Sequence, residues 1–363
     1  MSLRSDTTGL VGPSTAPPAA AAPARYSYRR LAMAELPLLN QLYNACYGRD
    51  RPLADAEWLY GKNPNGEALI MAAFDGDGEL AGARPALPWR IVWQDQQRTA
   101  YEFADALVAP RHRNQGIFTR LVKQICQVAD QNDYMLFTLP NDSSLSVYMR
   151  SGAFQVVGSS ETRVRPISWL RYAAHRLGAK AGDEPRPLRE RKDSALKEGD
   201  VRLLPVDRFE SGFEQIHSEF ARVAATFTLR HRAFLQWRYF GSPVRRYHVA
   251  LVEQGGRNRG YLVMRTIDRV AHLIDVFVTP DMELACKVFR LATAWARQMG
   301  VIAVQFNASH GNFFRPAAVR TGYWLKKNSG TMVIDRRSAE LLAGISRPGV
   351  HDLYFVMGDF DFF

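Results

Sequence analysis

The chain has 363 residues, room for two or three domains, and its 47% hydrophobic and 23% charged residues are ordinary globular proportions that exclude a collagen-like, mucin-like or coiled-coil polymer. No apolar run reaches the ~18 to 20 residues that cross a bilayer, and three isolated cysteines, Cys46, Cys126 and Cys286, give no disulfide framework or zinc knuckle. A net charge of +11 favours anionic partners, and the surplus is concentrated between Arg163 and Lys192, where nine basic residues face three acidic ones.

In chain order, residues 1–25 carry Asp6, several prolines and an Ala tract but no apolar core. They read as a disordered, solvated tail rather than a signal peptide, so a cytoplasmic address is expected. A strand over Tyr28–Met33 and an amphipathic helix over Leu36–Tyr47 follow, then strands over Ala68–Phe74 and Ile91–Trp93 with a hairpin turn at Gly76-Asp77-Gly78 between them. Ile117, Leu121, Ile125 and Val128 form one stripe of a long helix, and the apolar strand Tyr134–Pro140 ends before Asn141. Past the basic segment the order recurs: a strand over Val201–Val206, a helix over Phe213–Val223, strands over Tyr247–Val252 and Tyr261–Arg265, a helix striped by Leu284, Val288, Leu291 and Trp295, and a strand over Val301–Phe306 before Asn307.

Two motifs make this recurrence a repeat. Trp58-Leu59-Tyr60 with Pro64 returns as Trp237-Arg238-Tyr239 with Pro243, an offset of 179. Asp105, Val108 and Pro110 return as Asp275, Val278 and Pro280, an offset of 170. The alternation of strands and helices predicts an α/β fold with a mixed sheet, in two similar halves at 26–166 and 200–363 joined by a basic linker over 167–199. The stripe Ile167, Leu170, Ala174 and Leu177 in that linker reads as a short helix covering the domain junction, with contact to an anionic membrane surface as the alternative.

Only the first half has a chemically loaded turn. Between Val108 and Phe118 the chain passes from strand to helix through Pro110-Arg111-His112-Arg113-Asn114-Gln115-Gly116-Ile117, so backbone N–H groups can converge on an anion with Gly116 allowing close approach. In the second half the same place reads Asp281-Met282-Glu283, without glycine and with charges that repel an anion.

With Asn141 and the Tyr148-Met149-Arg150-Ser151-Gly152-Ala153-Phe154 turn behind it, this order resembles the Gcn5-related N-acetyltransferase (GNAT) family, and the duplication resembles its tandem members. The family's pyrophosphate motif, Q/R-x-x-G-x-G/A, is met by Arg113 and Gly116 and departed from at Phe118, where the family has a small residue. The resemblance implies acetyl-CoA or another acyl-CoA as co-substrate, held by Leu107, Val108, Arg113, Asn114, Gln115, Gly116, Ile117, Phe118 and Asn141, with a second half that is a degenerate copy lacking coenzyme. It implies Tyr148 as the acid for the leaving thiolate, and Glu102, with Asp105 competing, as the base; three apart on a regular strand, these two carboxylates face opposite sides. Asp105 recurs as Asp275 in the half without the loop, which favours a role in architecture or acceptor grip, whereas His272 stands where Glu102 would recur.

The expected activity is acyl transfer to the primary amine of a small molecule, an amino sugar by analogy with tandem members found with bacterial surface-polysaccharide enzymes. An acyl-CoA sensor and an aminoacyl-tRNA-dependent ligase of the peptidoglycan-bridging kind are the rivals, the second disfavoured by the Arg113–Phe118 loop. The histidines show no ligand spacing, so no metal is expected, nor a nucleic-acid partner. The paired tryptophans read as packing rather than as a stacking platform for substrate.

Overall fold

A computed structural model describes residues 25–93, 96–178, 196–309, 311–343 and 354–360. Residues 1–24 of the expected tail and residues 179–195 of the expected linker over 167–199 lie outside the described residues.

The first half runs β1 (Ser27–Arg30), α1 (Leu36–Tyr47), α2 (Leu53–Ala56) with a π-helical turn Glu57–Gly61, β2 (Leu69–Phe74), β3 (Leu80–Trp93), β4 (Gln96–Phe103), β5 (Leu107–Val108), α3 (Ile117–Asn132), β6 (Met135–Thr138), α4 (Asp142–Ser151), β7 (Phe154–Pro166) and α5 (Trp169–Arg176). The second runs β8 (Leu196–Glu198), β9 (Val201–Val206), α6 (His217–Phe220), β10 (Thr226–Thr228), α7 (Arg232–Phe240), β11 (His248–Gln254), β12 (Arg257–Ile267), β13 (Val270–Val278), α8 (Met282–Gln298), β14 (Ala303–Ser309), α9 (Arg315–Arg320), β15 (Trp324–Asp335) and α10 (Arg336–Ala343). The long helices form for the reason their stripes suggest: α3 buries Ile117, Leu121 and Ile125, and α8 buries Leu284, Val288 and Leu291 against the sheet. Among the described residues no helix is long and apolar enough to cross a membrane.

Among the described residues, fifteen strands form one mixed sheet with the order β1-β2-β3-β4-β6-β15-β7-β14-β13-β12-β11-β9-β8, while β5 and β10 each pair with β3. The halves therefore interlock. Strand β15 lies between β6 and β7, with Ile334 opposite Phe137 and Asp335 opposite Phe154, and β7 pairs along its other edge with β14, Ala308 opposite Glu161. Strand β10 of the second half pairs in turn with β3, Phe227 opposite Val92. The division at 166 and 200 expected from composition thus does not divide the sheet.

Three local expectations need correction. The strand expected over Ile91–Trp93 is the end of a longer strand that runs through Pro85 and Pro88, whose carbonyls accept from Ala104 N and Asn63 Nδ2 and so keep the backbone bonded where a proline has no N–H to give. The helix expected over Phe213–Val223 shrinks to the turn Glu214–Ile216 and four-residue α6, because the chain buries Phe213, Ile216 and Phe220 within two turns before joining β3 through β10. The expected leucine stripe is not the face of α5 that packs: Leu170 and Leu177 are 86% and 87% exposed. The helix meets the junction through Tyr172, which packs on Val164 of the first half and on Val270, Ile302 and Ala303 of the second, while Trp169 lies against Trp324 with ring centroids 4.6 Å apart.

Candidate active site

The cleft arises where two strands part. Strands β4 and β6 run parallel from Ala100 opposite Met135 to Glu102 opposite Phe137. Beyond that β6 ends at Thr138, β4 ends at Phe103, and the chain resumes pairing only as β5, with β3. Phe103–Ala106 on one side and Thr138–Asn141 on the other wall a cleft of 380 Å³, closed further by Tyr43 and Tyr47 of α1 and by Arg49, Arg51, Arg84 and Arg245.

Beside it lies the N-terminus of α3. Gly116 is the residue before the helix, at φ 76°, and Asn114 is also left-handed, at φ 61°. No side chain caps this helix, and no described atom lies within 4 Å of where a Gly116 side chain would begin, so the helix start is open at Gly116. The loop is braced from below. Tyr26 donates to Gln115 Oε1 at 2.7 Å, and Arg111 pairs with Glu79 and Asp75 of the β2–β3 hairpin. Arg113 is exposed, with its Nε 3.4 Å from the Val108 carbonyl and its guanidinium beside the Cys46 thiol. At the matching place in the second half Asp281 caps α8, accepting from Leu284 N at 2.7 Å. A carboxylate of the chain itself thus occupies that helix end.

Tyr148 is fully buried, ringed by Phe103, Phe118 and Phe154, and its hydroxyl accepts from Arg84 Nη2. Burial pushes this phenol above its ordinary value, with Arg84 opposing and Glu102 adding to the rise. Arg84 also donates to the Ala104 carbonyl and lies over the rings of Phe103 and Phe118 at 4.7 and 5.3 Å. Phe118, the departure from the family motif, thus points inward and helps wedge Tyr148 and Arg84. Glu102 is fully buried as well.

Asp105 sits on the other wall, its Oδ2 accepting from Tyr60 Oη and from Arg51 Nη1, the latter at 3.1 Å. The two conserved-spacing motifs of the sequence therefore meet in space, the Tyr of the first bonded to the Asp of the second. The same holds in the second half, where Tyr239 donates to Asp275 Oδ2 at 2.7 Å. A third residue joins each pair at the offset of the first motif: Arg230 Nε lies 3.4 Å from Asp275 Oδ2, and Arg230 follows Arg51 by 179 positions.

Of the residues singled out in the sequence, Asp105 and Asn141 line the cleft, with Asn141 also capping α4 through Ser144 N at 2.9 Å. Leu107 and Ile117 are buried anchors of the loop, Val108 and Phe118 are half-buried, and Tyr148 and Glu102 lie beneath the cleft surface. Sequence reasoning missed Arg51, Arg84 and Arg245, and took Tyr60 only as part of a packing motif. Arg84 alone left a usable signal, a cation inside the otherwise apolar run from Leu80 to Leu87. Among the described residues no group of three or more His, Cys, Asp or Glu side chains converges as a metal site.

This parted parallel strand pair and uncapped helix end belong to a mixed α/β fold that matches GNAT-like acyltransferase folds. Residues 27–156 match the family model described as an acetyltransferase (GNAT) domain. No curated protein matches the chain in sequence. Among solved structures the chain is similar to a GCN5-related N-acetyltransferase from Anabaena variabilis, at 16% identity and a TM-score of 0.58, covering 85% of this chain and 72% of that one. A conserved protein of Enterococcus faecalis, designated a probable N-acyltransferase, gives 10% identity and a TM-score of 0.61 over 86% of this chain and 72% of the other. N-myristoyltransferase of Saccharomyces cerevisiae, solved with bound myristoyl-CoA, gives 12% and 0.55 over 86% and 79%. These likenesses extend past the GNAT match and concern the fold.

Proposed function

We propose that the first half transfers an acyl group from acyl-CoA to the primary amine of a small molecule, and that the second half is a copy without coenzyme. The observation that carries this reading is the contrast between the two helix starts, Gly116 open and uncapped in one half and Asp281 capping in the other. The open start fits a pyrophosphate, because left-handed Asn114 and Gly116 leave backbone donors unblocked while Arg113 adds a cation. Leu107, Val108 and residues 113–118 would hold the coenzyme, with Asn141 on the facing wall. The bound coenzyme supplies an activated acyl group.

The chain's own residues do the rest. Tyr148 holds a proton on its hydroxyl throughout the ordinary pH range, because burial raises its pKa, while Arg84 donates to the same oxygen and leaves that proton to be given away. Asp105 is engaged by Tyr60 and Arg51, so it shapes the acceptor wall. Glu102, buried in the same half, is the proposed base and takes the amine proton through a water relay. An amino sugar is the acceptor suggested by the family resemblance. The exposed Trp169, Leu170 and Leu177, with Arg171 and Arg176 beside them on α5, support peripheral contact with an anionic surface.

Calorimetry with CoA tests the reading: one site per chain is expected, and two equivalent sites or none would overturn it. A sensor would keep its function in Tyr148→Phe, whereas an acyltransferase loses turnover.

A further inference from the structure

The two polar triads, Arg51–Tyr60–Asp105 and Arg230–Tyr239–Asp275, differ in what lies on them. In the second half Arg230 lies between two carboxylates, Asp275 and Asp359, its Nη2 3.0 Å from Asp359 Oδ1 as an ion pair without the alignment of a hydrogen bond. Asp359 arrives on the terminal segment 354–360, which Arg238 clamps by donating to the carbonyls of Gly358 and Phe360. That segment presses on the triad: a side chain begun at Gly358 would lie 2.3 Å from the Tyr239 hydroxyl, and Tyr354 donates to the Val276 carbonyl. Val276 is the repeat partner of Ala106, a wall of the first-half cleft.

In the first half Arg51 has one carboxylate. Its Nη1 meets Asp105 and its Nε donates to Asn40 Oδ1 at 2.7 Å, but Nη2, though buried, has no hydrogen-bond partner among the described residues. The Arg51 side chain is only 7% exposed. Arg84 Nε is left in the same condition on the same cleft. A buried donor without an acceptor carries a desolvation cost that an incoming acceptor removes. Four arginines line the cleft against two carboxylates, and each of those carboxylates is already held, Asp105 by Arg51 and Asp55 by Arg245 at 2.8 Å. The cleft is therefore cationic around an orphaned guanidinium N–H.

We propose that the acceptor carries a carboxylate besides its amine, and that this carboxylate binds Arg51 Nη2 in the place that Asp359 takes at Arg230. The second half thus places a carboxylate of its own beside the corresponding arginine, and the first half keeps that arginine for a carboxylate that comes and goes. The Tyr43 ring, 3.6 Å from the Arg51 guanidinium carbon, forms part of the same cleft wall. The inference rests on the acyltransferase reading and deepens it by naming the acceptor's class.

The test compares γ-aminobutyrate and ε-aminohexanoate with their carboxamides as acceptors from acetyl-CoA, since each pair has the same chain and an amine of similar basicity. The acids are expected to show kcat/KM at least about tenfold above the amides, the size of one charge-assisted hydrogen bond. Arg51→Lys, which keeps a cation beside Asp105 but removes the fork, is expected to erase that preference with CoA affinity retained. Equal turnover of acid and amide, or an unchanged preference in Arg51→Lys, overturns the proposal. If neither compound is turned over, the same pairs are read by thermal stabilisation of the CoA-saturated protein: stabilisation by the acids alone supports the proposal, and equal or absent stabilisation overturns it. Failure of CoA to bind would instead count against the acyltransferase reading, and it is measured separately in the same samples.

Discussion

The indole N–H of Trp58 donates to the Trp237 carbonyl at 3.0 Å, and the indole N–H of Trp237 returns the bond to the Trp58 carbonyl at the same distance. The two rings stack with centroids 5.1 Å apart, so one pair of repeat-related residues ties the halves across a local twofold relation. Trp58→Phe should keep the stacking but leave the Trp237 carbonyl with the Gly241 N–H as its remaining donor, at a cost of about 0.5–1.5 kcal/mol for the lost hydrogen bond. Denaturant unfolding checks this, and the loss should appear in a single transition for the whole chain because strands are exchanged between the halves.

Asp105 and Asp275 are repeat partners with different surroundings, and they should respond differently to the same change. Asp275 is fully enclosed beside Arg230, so Asp275→Asn should cost about 3–5 kcal/mol of stability by leaving a buried cation underpaired. Asp105 borders the cleft with a side chain 15% exposed, so Asp105→Asn should cost less and act on the acceptor KM. Equal losses of stability would show that the cleft of the first half is as closed as its counterpart.

Gly116→Val should weaken CoA binding without unfolding the protein. The left-handed backbone there penalises a β-branched residue by roughly 1–2 kcal/mol, and the new side chain would stand in the open space before α3. Arg113→Glu should weaken CoA in a way that fades as salt is raised, while charge reversal at Arg202, paired with Glu253 far from the loop, should leave CoA affinity unchanged. Isothermal titration at two ionic strengths separates the three.

Tyr148→Phe should lower kcat by ~10²- to 10⁴-fold with little change in CoA affinity, since only a hydroxyl is lost from a pocket walled by Phe103, Phe118 and Phe154. Because burial raises the pKa of this phenol, the alkaline limb of the rate profile in the wild type should lie above the ordinary tyrosine range. Glu102→Gln should also slow turnover, with a defect that shrinks as pH rises and more acceptor amine is already neutral.

Burial holds two imidazoles, His217 and His272, at a pKa of about 4, with Arg230 and Lys326 as the next largest causes. Both are neutral in the folded chain where a free histidine, with its ordinary value near 6.5, would take a proton. The unfolded state therefore binds more protons between pH ~6.5 and ~4, and stability should fall as pH drops through that window. His217→Gln with His272→Gln should flatten this part of the curve, as read by thermal unfolding at several pH values.

What the sequence determined by itself was the local and the repeated. Helix α1 spans Leu36–Tyr47 and strand β9 spans Val201–Val206 as their patterns indicate, because periodicity reports which face of an element is buried. The pairing of Trp58 with Trp237 and of Asp105 with Asp275 was legible as motif recurrence, and so was the loss of the anion loop at Asp281. The exchange of β7 and β15 was not legible, since a strand's alternation of buried and exposed residues is the same whichever neighbour it pairs with. Nor was the grouping of Arg51 with Asp105, 54 positions away, or of Arg84 with Tyr148, 64 away. An isolated arginine reads as a solvated surface charge until the fold removes its water. Only tertiary packing decides which arginines are buried, what they hold, and which N–H is left for a ligand.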